Sequence, residues 1–261
     1  MRSFVALAVL AGSLPAFGWG PEGHSLVARI AWEQLKPAAR ARVAAILAPD
    51  QTLRSIASWA DEVRRSRPES GPWHFVDIPI DKPHLDMARD CPKGACVIAK
   101  IADVRKTLKD PAASADQRRE ALMFLVHFVG DMHQPLHCSD HSDRGGNSVR
   151  VQFFDRPSNL HSVWDSGLLG RFGKKEDELF AELSQESAKR ARKWDKGSVE
   201  DWAEQSHKVA QKVVYGHLPK VPDGALVPLS ATYERRAEPL IAVQIAKAGA
   251  RLAWILNADL R

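Results

Sequence analysis

The chain has 261 residues, of which 44% are hydrophobic and 26% charged, with a formal net charge of +5. That apolar share suffices for a sizeable core, and the balance excludes a disordered chain. The basic excess is compatible with a polyanionic substrate, although such an excess by itself more often reflects solubility.

In chain order, Arg2 begins a positive start, Phe4 to Leu14 is an apolar run, and Ala16-Phe17-Gly18 supplies the small residues that precede a cut. This reads as a secretory signal peptide over residues 1–18, too short for a membrane span. Cleavage after Gly18 makes Trp19 the mature N-terminus and leaves residues 19–261 as one exported domain, secreted or periplasmic. No later stretch is expected to cross a bilayer, there is no N-x-S/T sequon, and the protein is expected to act as a monomer.

Helical periodicity dominates the chain from His24 onward. Leu26, Val27, Ile30, Ala31 and Leu35 mark a helix from His24 to Leu47, which Pro37 divides. Ile56, Trp59, Ala60 and Val63 mark a second over Leu53 to Arg65. Ser66 to Pro92 is rich in Pro, His and Asp and predicts a long irregular loop, of the kind that carries function. Helices come next over Val97–Lys109 and Ala115–Met132, then a turn at HSDRGGN, and Ser148–Phe154 alternates as a strand, half of a small hairpin. Helices over His161–Leu169, Glu176–Trp194, Ser198–Tyr215 and Ser230–Leu256 complete the chain. The fold class is therefore mainly α, one helical domain with a small β-hairpin and no parallel-sheet nucleotide fold.

Of the three cysteines, Cys91 and Cys96 suit a small disulfide loop in an exported protein. Cys138 is left over, as a buried thiol or, directly after His137, as a thiolate metal ligand.

The chemistry concentrates in HFVGDMHQPLH, His127 to His137, with three histidines and an aspartate in apolar sequence. His127 and Asp131 lie four apart and share a helix face, and Pro135 lets His137 point elsewhere. A core helix with a few satisfied histidines is the alternative. Burying several imidazoles and a carboxylate without a cation is costly, however, so the cluster favours a metal such as zinc. HSVWD repeats the spacing with His161 and Asp165, SWADEVRR sets Asp61 in an amphipathic helix, PWHFVDIP sets His74 in the irregular loop, and GPEGH sets His24 near the new N-terminus.

These motifs, in this order, resemble the zinc-dependent, single-strand-specific nucleases of the S1/P1 type. The resemblance runs from WGPEGH at Trp19 through WAD at Trp59, HFVDIP at His74, HFVGDMHQPLH, DRGGN at Asp143 and NLHSVWDSGLL at Asn159 to AGARLAWILN at Ala248. It implies three zinc ions in a trinuclear cleft. Asp61, His74, His127 and Asp131 would hold one. Trp19, through its amine and carbonyl, would hold a second with His24 and Asp131, which bridges the pair. His137, His161 and Asp165 would hold the third. His133 is not a ligand in the family pattern and is expected to make a supporting hydrogen bond.

A paired metal site lowers the pKa of a shared water and so supplies a nucleophile for in-line attack, making Asp61 and Asp131 catalytic. The third ion would stabilise the leaving 3′ oxygen. Arg64, one helical turn after Asp61, is either a solvated arginine or, as the resemblance favours, a stabiliser of phosphoryl charge. Phe75 would stack on an unpaired base and Asp77 would accept from its edge, against the plainer roles of core residue and turn cap. Asn147 is a further base-pocket candidate. The implied partners are single-stranded DNA and RNA and 3′-nucleotides, with 5′-phosphate products. A phospholipase C on the same scaffold is the nearest rival. Its pattern has a glutamate where Asp165 stands. A non-catalytic exported zinc-binding protein is the rival of another class.

Overall fold

Apolar residues surround the stretch before His127 on every side, and a helix that is apolar all round has to be central. The computed structural model, which describes residues 19–222 and 224–261, places it there. The expected signal peptide lies outside the described residues.

Two helices open the chain, α1 (Pro21–Glu33) and α2 (Pro37–Ile46), each with a proline in its first turn, where the missing N–H costs nothing. Pro37 divides them as expected. The single helix expected over Leu53–Arg65 is instead two short ones, α3 (Leu53–Ile56) and α4 (Trp59–Val63). The break has a cause: the Ala57 carbonyl accepts from His127 Nδ1 at 2.8 Å, and Asp61 N–H starts a new turn on Ser58 O.

The expected irregular loop contains a 3-10 turn over Pro68–His74 and the short α5 (Met87–Asp90), and the Cys91–Cys96 disulfide forms beside it. Then come α6 (Val97–Lys109) and the central α7 (Ala115–Asp131). Ser114 and Gln117 close a capping box on α7, and every residue from Ala121 to Asp131 is buried. Helix α7 packs on α6, α1, α3 and α4.

β1 (Arg150–Phe153) and β2 (Arg156–Asn159) make the expected antiparallel hairpin, in register Arg150↔Asn159. A third strand, β3 (Val227–Leu229), pairs in parallel with β1 and was not expected, since its three residues carry no periodic signal. The helix expected over His161–Leu169 is a short α8 (Leu160–Ser162) followed by a π-turn over Val163–Gly167 and a 3-10 turn over Leu169–Arg171. Here the Asp165 carbonyl accepts from Gly20 N–H at 2.9 Å, which ties the N-terminal segment to this widened turn.

The rest is α9 (Glu176–Trp194), α10 (Val199–Val209) with a π-turn to Tyr215, and α11 (Ala231–Asp259). Helix α11 corrects one expectation, because by length and composition it is apolar enough to cross a membrane. It packs against α1, α7 and α9, and 67% of its most apolar window is buried inside the protein. Its hydropathy is therefore that of a core helix.

Candidate metal centre

The C-terminal end of α7 delivers His127 and Asp131 to a point where α1, α4, the 3-10 turn and the π-turn converge. Donor atoms gather there in three buried groups: Asp61, His74 and His127; His24, His127 and Asp131; and His137, His161 and Asp165. Every side-chain ligand expected from the sequence belongs to one of them. Trp19, expected to contribute backbone atoms, is fully buried and precedes Gly20, whose N–H bonds Asp165 O. Cys138 belongs to none. Its thiol is buried and donates to Met132 O, and burial pushes it far up, so the thiolate-ligand alternative gives way to a buried free thiol.

Asp131 sits at the centre. Its Oδ2 lies 2.9 Å from His74 Nδ1 and 3.2 Å from His127 Nε2, while Oδ1 faces His24 Nε2 at 3.3 Å. One carboxylate thus presents an oxygen to each of two groups. His24 reaches this point because position 130 is glycine, where a Cβ would stand 2.7 Å from His24 Nδ1. Asp61 Oδ1 lies 3.6 Å from His127 Nε2 and 3.4 Å from Arg64 Nη1, so Arg64 sits at the edge of the same cluster, partly buried.

Backbone carbonyls orient the imidazoles. His127 Nδ1 donates to Ala57 O, His137 Nδ1 to His74 O at 2.8 Å, and His161 Nδ1 to Gly145 O at 2.6 Å. A carbonyl only accepts, so each ring carries its proton on Nδ1 and turns the Nε2 lone pair inward. The DRGGN turn exists to present Gly145 O. Arg144, Gly145 and Gly146 all have positive φ, Asp140 and Asp143 accept the glycine N–H groups, and a Cβ on Gly145 would lie 2.8 Å from Leu136 O.

This arrangement fits a cation. His137 Nε2 and His161 Nε2 face each other at 3.2 Å with both lone pairs inward, a contact that repels unless positive charge lies between. His24 Nε2, His74 Nε2, His127 Nε2 and Asp131 Oδ1 are buried with no hydrogen-bond partner. Burial holds His161 down to about 3, with His137 adding to the shift, and holds His74 at about 4; it also lowers His24. Burial opposes charge on His127 and Asp131 as well, but their attraction prevails, so the imidazole is raised and the carboxylate lowered. Neutral imidazoles around an ionised carboxylate are the states a divalent metal binds, and the proton favoured on His127 stands where a cation belongs.

Three supports escaped the sequence reading. Gln134 Nε2 donates to Asp165 Oδ1 at 2.6 Å, opposing the burial that raises Asp165. Gly130 makes room for His24. Arg251 Nη1 meets His133 Nε2 at 2.9 Å while His133 Nδ1 bonds Val129 O, so His133 has the supporting role expected of it. Only the Gln-Pro step inside HFVGDMHQPLH hinted at the first of these.

The recognition candidates are placed differently. Phe75 ends the 3-10 turn and is half-buried. Asp77 is solvent-exposed, yet desolvation by the surrounding chain and then Asp140, Asp90 and Asp143 push it up to about 6. Asn147 donates to Arg144 O inside the DRGGN turn.

The S1/P1 Nuclease family model matches residues 19–261. Nuclease P1 of Penicillium citrinum is 35% identical over 91% of this chain and 96% of its own length. Nuclease S1 of Aspergillus oryzae is 30% identical over 96% of this chain and 95% of its own. Endonuclease 2 of Arabidopsis thaliana is 38% identical over 58% of this chain and 56% of its own. With these relatives the phospholipase and non-catalytic alternatives fall away. The chain belongs to the S1/P1 nuclease family and is a hydrolase that acts on phosphodiester bonds.

Proposed function

We propose that this nuclease is an exported zinc enzyme that cleaves single-stranded DNA and RNA to 5′-phosphate products and also removes 3′-phosphates from nucleotides. The observation that carries the metal part is the pair of inward Nε2 lone pairs of His137 and His161, 3.2 Å apart, beside Asp165. In this reading Asp61, His74, His127 and Asp131 hold one zinc, the Trp19 amine and carbonyl with His24 and Asp131 a second, and His137, His161 and Asp165 a third. When bound, zinc supplies Lewis acidity that activates water and neutralises charge on the departing 3′ oxygen.

The chain's own residues do the rest. Asp131 ties two of the groups together and fixes their separation. Arg64, beside Asp61 at the edge of the cluster, directs positive charge at the phosphoryl oxygens. Phe75 stacks on a base whose face is free, which favours unpaired strands and tolerates any base. Asp77 accepts from the base edge, and Asn147 lines the same pocket.

The test is metal analysis of the processed protein together with product analysis on a short single-stranded oligonucleotide. The reading expects three zincs per chain and 5′-phosphate, 3′-hydroxyl ends; 3′-phosphate or cyclic ends would overturn it. A second arm retains extra residues before Trp19, which turns the amine into an amide and so removes a ligand. That protein should lose one metal and most activity, and full activity with the extension confirmed by mass would reject the role of Trp19.

A further inference from the structure

A second charged region, lined by none of the candidate metal ligands, lies in a cleft of about 580 Å³ between α9, α10 and α11. Six cations line it, Arg190, Lys193, Lys196, Lys208, Lys247 and Arg251, against two carboxylates, Asp201 and Glu204. Those carboxylates are engaged: Asp201 accepts from Ser198 N–H, and Glu204 accepts from Leu85 N–H and meets His84. Glu186 pairs with Arg190, and Lys208 lies 3.8 Å from Glu204. Lys193, Lys196, Lys247 and Arg251 have no ion-pair partner among the described residues.

Arg251 is the unusual member. It is 3% exposed, and its donors go to Trp194 O, Gln205 Oε1 and His133 Nε2, none of them a carboxylate. A buried guanidinium with only neutral partners is costly, and Asp195 and Asp201 act on it only at a distance. Burial, then Arg251 and Lys193, pull the neighbouring Lys247 down to about 8. Like charges have thus been gathered in a concave, partly dry place, the arrangement that focuses field on an anion.

We infer that this cleft binds the phosphate backbone of a nucleic acid strand, as a site separate from the metal centre. The cations are distributed over three helices and the α9–α10 connection instead of converging on one point, which suits successive phosphates. The cleft is the size of a nucleotide-sized ligand rather than one inorganic anion. Such contacts supply affinity without sequence preference and steer long polyanions to the protein. The inference rests on the chain acting on nucleic acid, but not on the metal roles proposed above.

The test is lysine footprinting of the metal-loaded protein with an acetylating reagent, with and without a nuclease-resistant phosphorothioate oligothymidylate, read by mass spectrometry. Lys193, Lys196 and Lys247 should be protected, while the exposed Lys36, just before α2, reacts as before. Equal protection by inorganic phosphate at the same phosphate concentration would overturn the strand reading in favour of a small-anion site. No protection by either would overturn the site altogether. In kinetics, the triple variant Lys193→Gln/Lys196→Gln/Lys247→Gln should lower the ratio of kcat/KM on a long strand to that on a dinucleotide. It should also flatten the salt dependence of long-strand binding by about one unit of slope per phosphate contact removed. An unchanged ratio and slope would refute the inference. The footprint does not depend on turnover, so it stands or falls separately from the proposed zinc chemistry.

Discussion

The candidate metal centre and the proposed recognition segment at Phe75–Asp77 adjoin each other, yet they are built by opposite means. Around Asp131 every candidate ligand side chain is buried, and His127, His137 and His161 are each fixed by a carbonyl from another segment of the chain. Phe75 and Asp77 lie on irregular backbone, one half-buried and one exposed. The contrast reflects the two tasks. Metal chemistry needs lone pairs held in place in a dry site, whereas a strand that must enter and leave needs surface that is open and adaptable.

The sharpest way to break this contrast is Asp131→Ala, which removes the carboxylate that faces two groups at once. The rate should fall by at least about a thousandfold, because metal-activated water supplies much of the acceleration. Near-normal turnover in steady-state assays would refute the bridging role. A smaller effect is expected one step outward. Gln134→Ala strips Asp165 of its 2.6 Å donor, and losing such a support typically costs about 10–100-fold in metal affinity or activity. Zinc titration against a chelator reads this, and unchanged affinity would show that Asp165 needs no such holder.

On the recognition side the losses should be milder and of another kind. Phe75→Ala should weaken substrate binding by roughly 1–3 kcal/mol while leaving the zinc content intact, the range for base–aromatic stacking. A variant that loses metal instead would show that Phe75 belongs to the centre.

The least effect is expected from titration of Asp77, whose carboxyl is raised to about 6. Above that pH it is ionised and can accept from a base edge; below it, the acceptor is lost. The wild-type KM should therefore rise as pH falls through about 6, and Asp77→Asn should flatten that part of the profile. The raised value also means that folding disfavours the charged form, so the variant should be no less stable above this range. A KM profile identical in both proteins would assign Asp77 a purely structural place.

Much of this was legible in the chain because it is local. A period of 3.6 marks α6, α7 and α9 within a residue or so. The spacing of four in His127/Asp131 and His161/Asp165 puts imidazole and carboxylate together on one turn, and a five-residue separation lets Cys91 reach Cys96. Ordered motifs added the family, and with it the expected grouping of candidate ligands from five separate segments, whose side chains the fold brings together.

What only the tertiary structure decided depends on partners far apart in sequence. Nothing near Ser58 predicts that Ala57 O will turn to His127, 70 residues on, and so split α3 from α4. The π-turn at Asp165 exists where Gly20 bonds its carbonyl, and β3 exists because β1 has a free edge to pair. The sequence reading expected no membrane-spanning stretch, yet α11 is long and apolar enough to be one by length and composition, and only its packing against α1, α7 and α9 shows where that apolar surface goes. The same holds for charge: Arg251 looks like any basic residue on a helix until the fold buries it beside His133. Side-chain type and period are written locally, whereas the carbonyl each imidazole meets, and the dielectric each charge feels, are set by which segments are packed together.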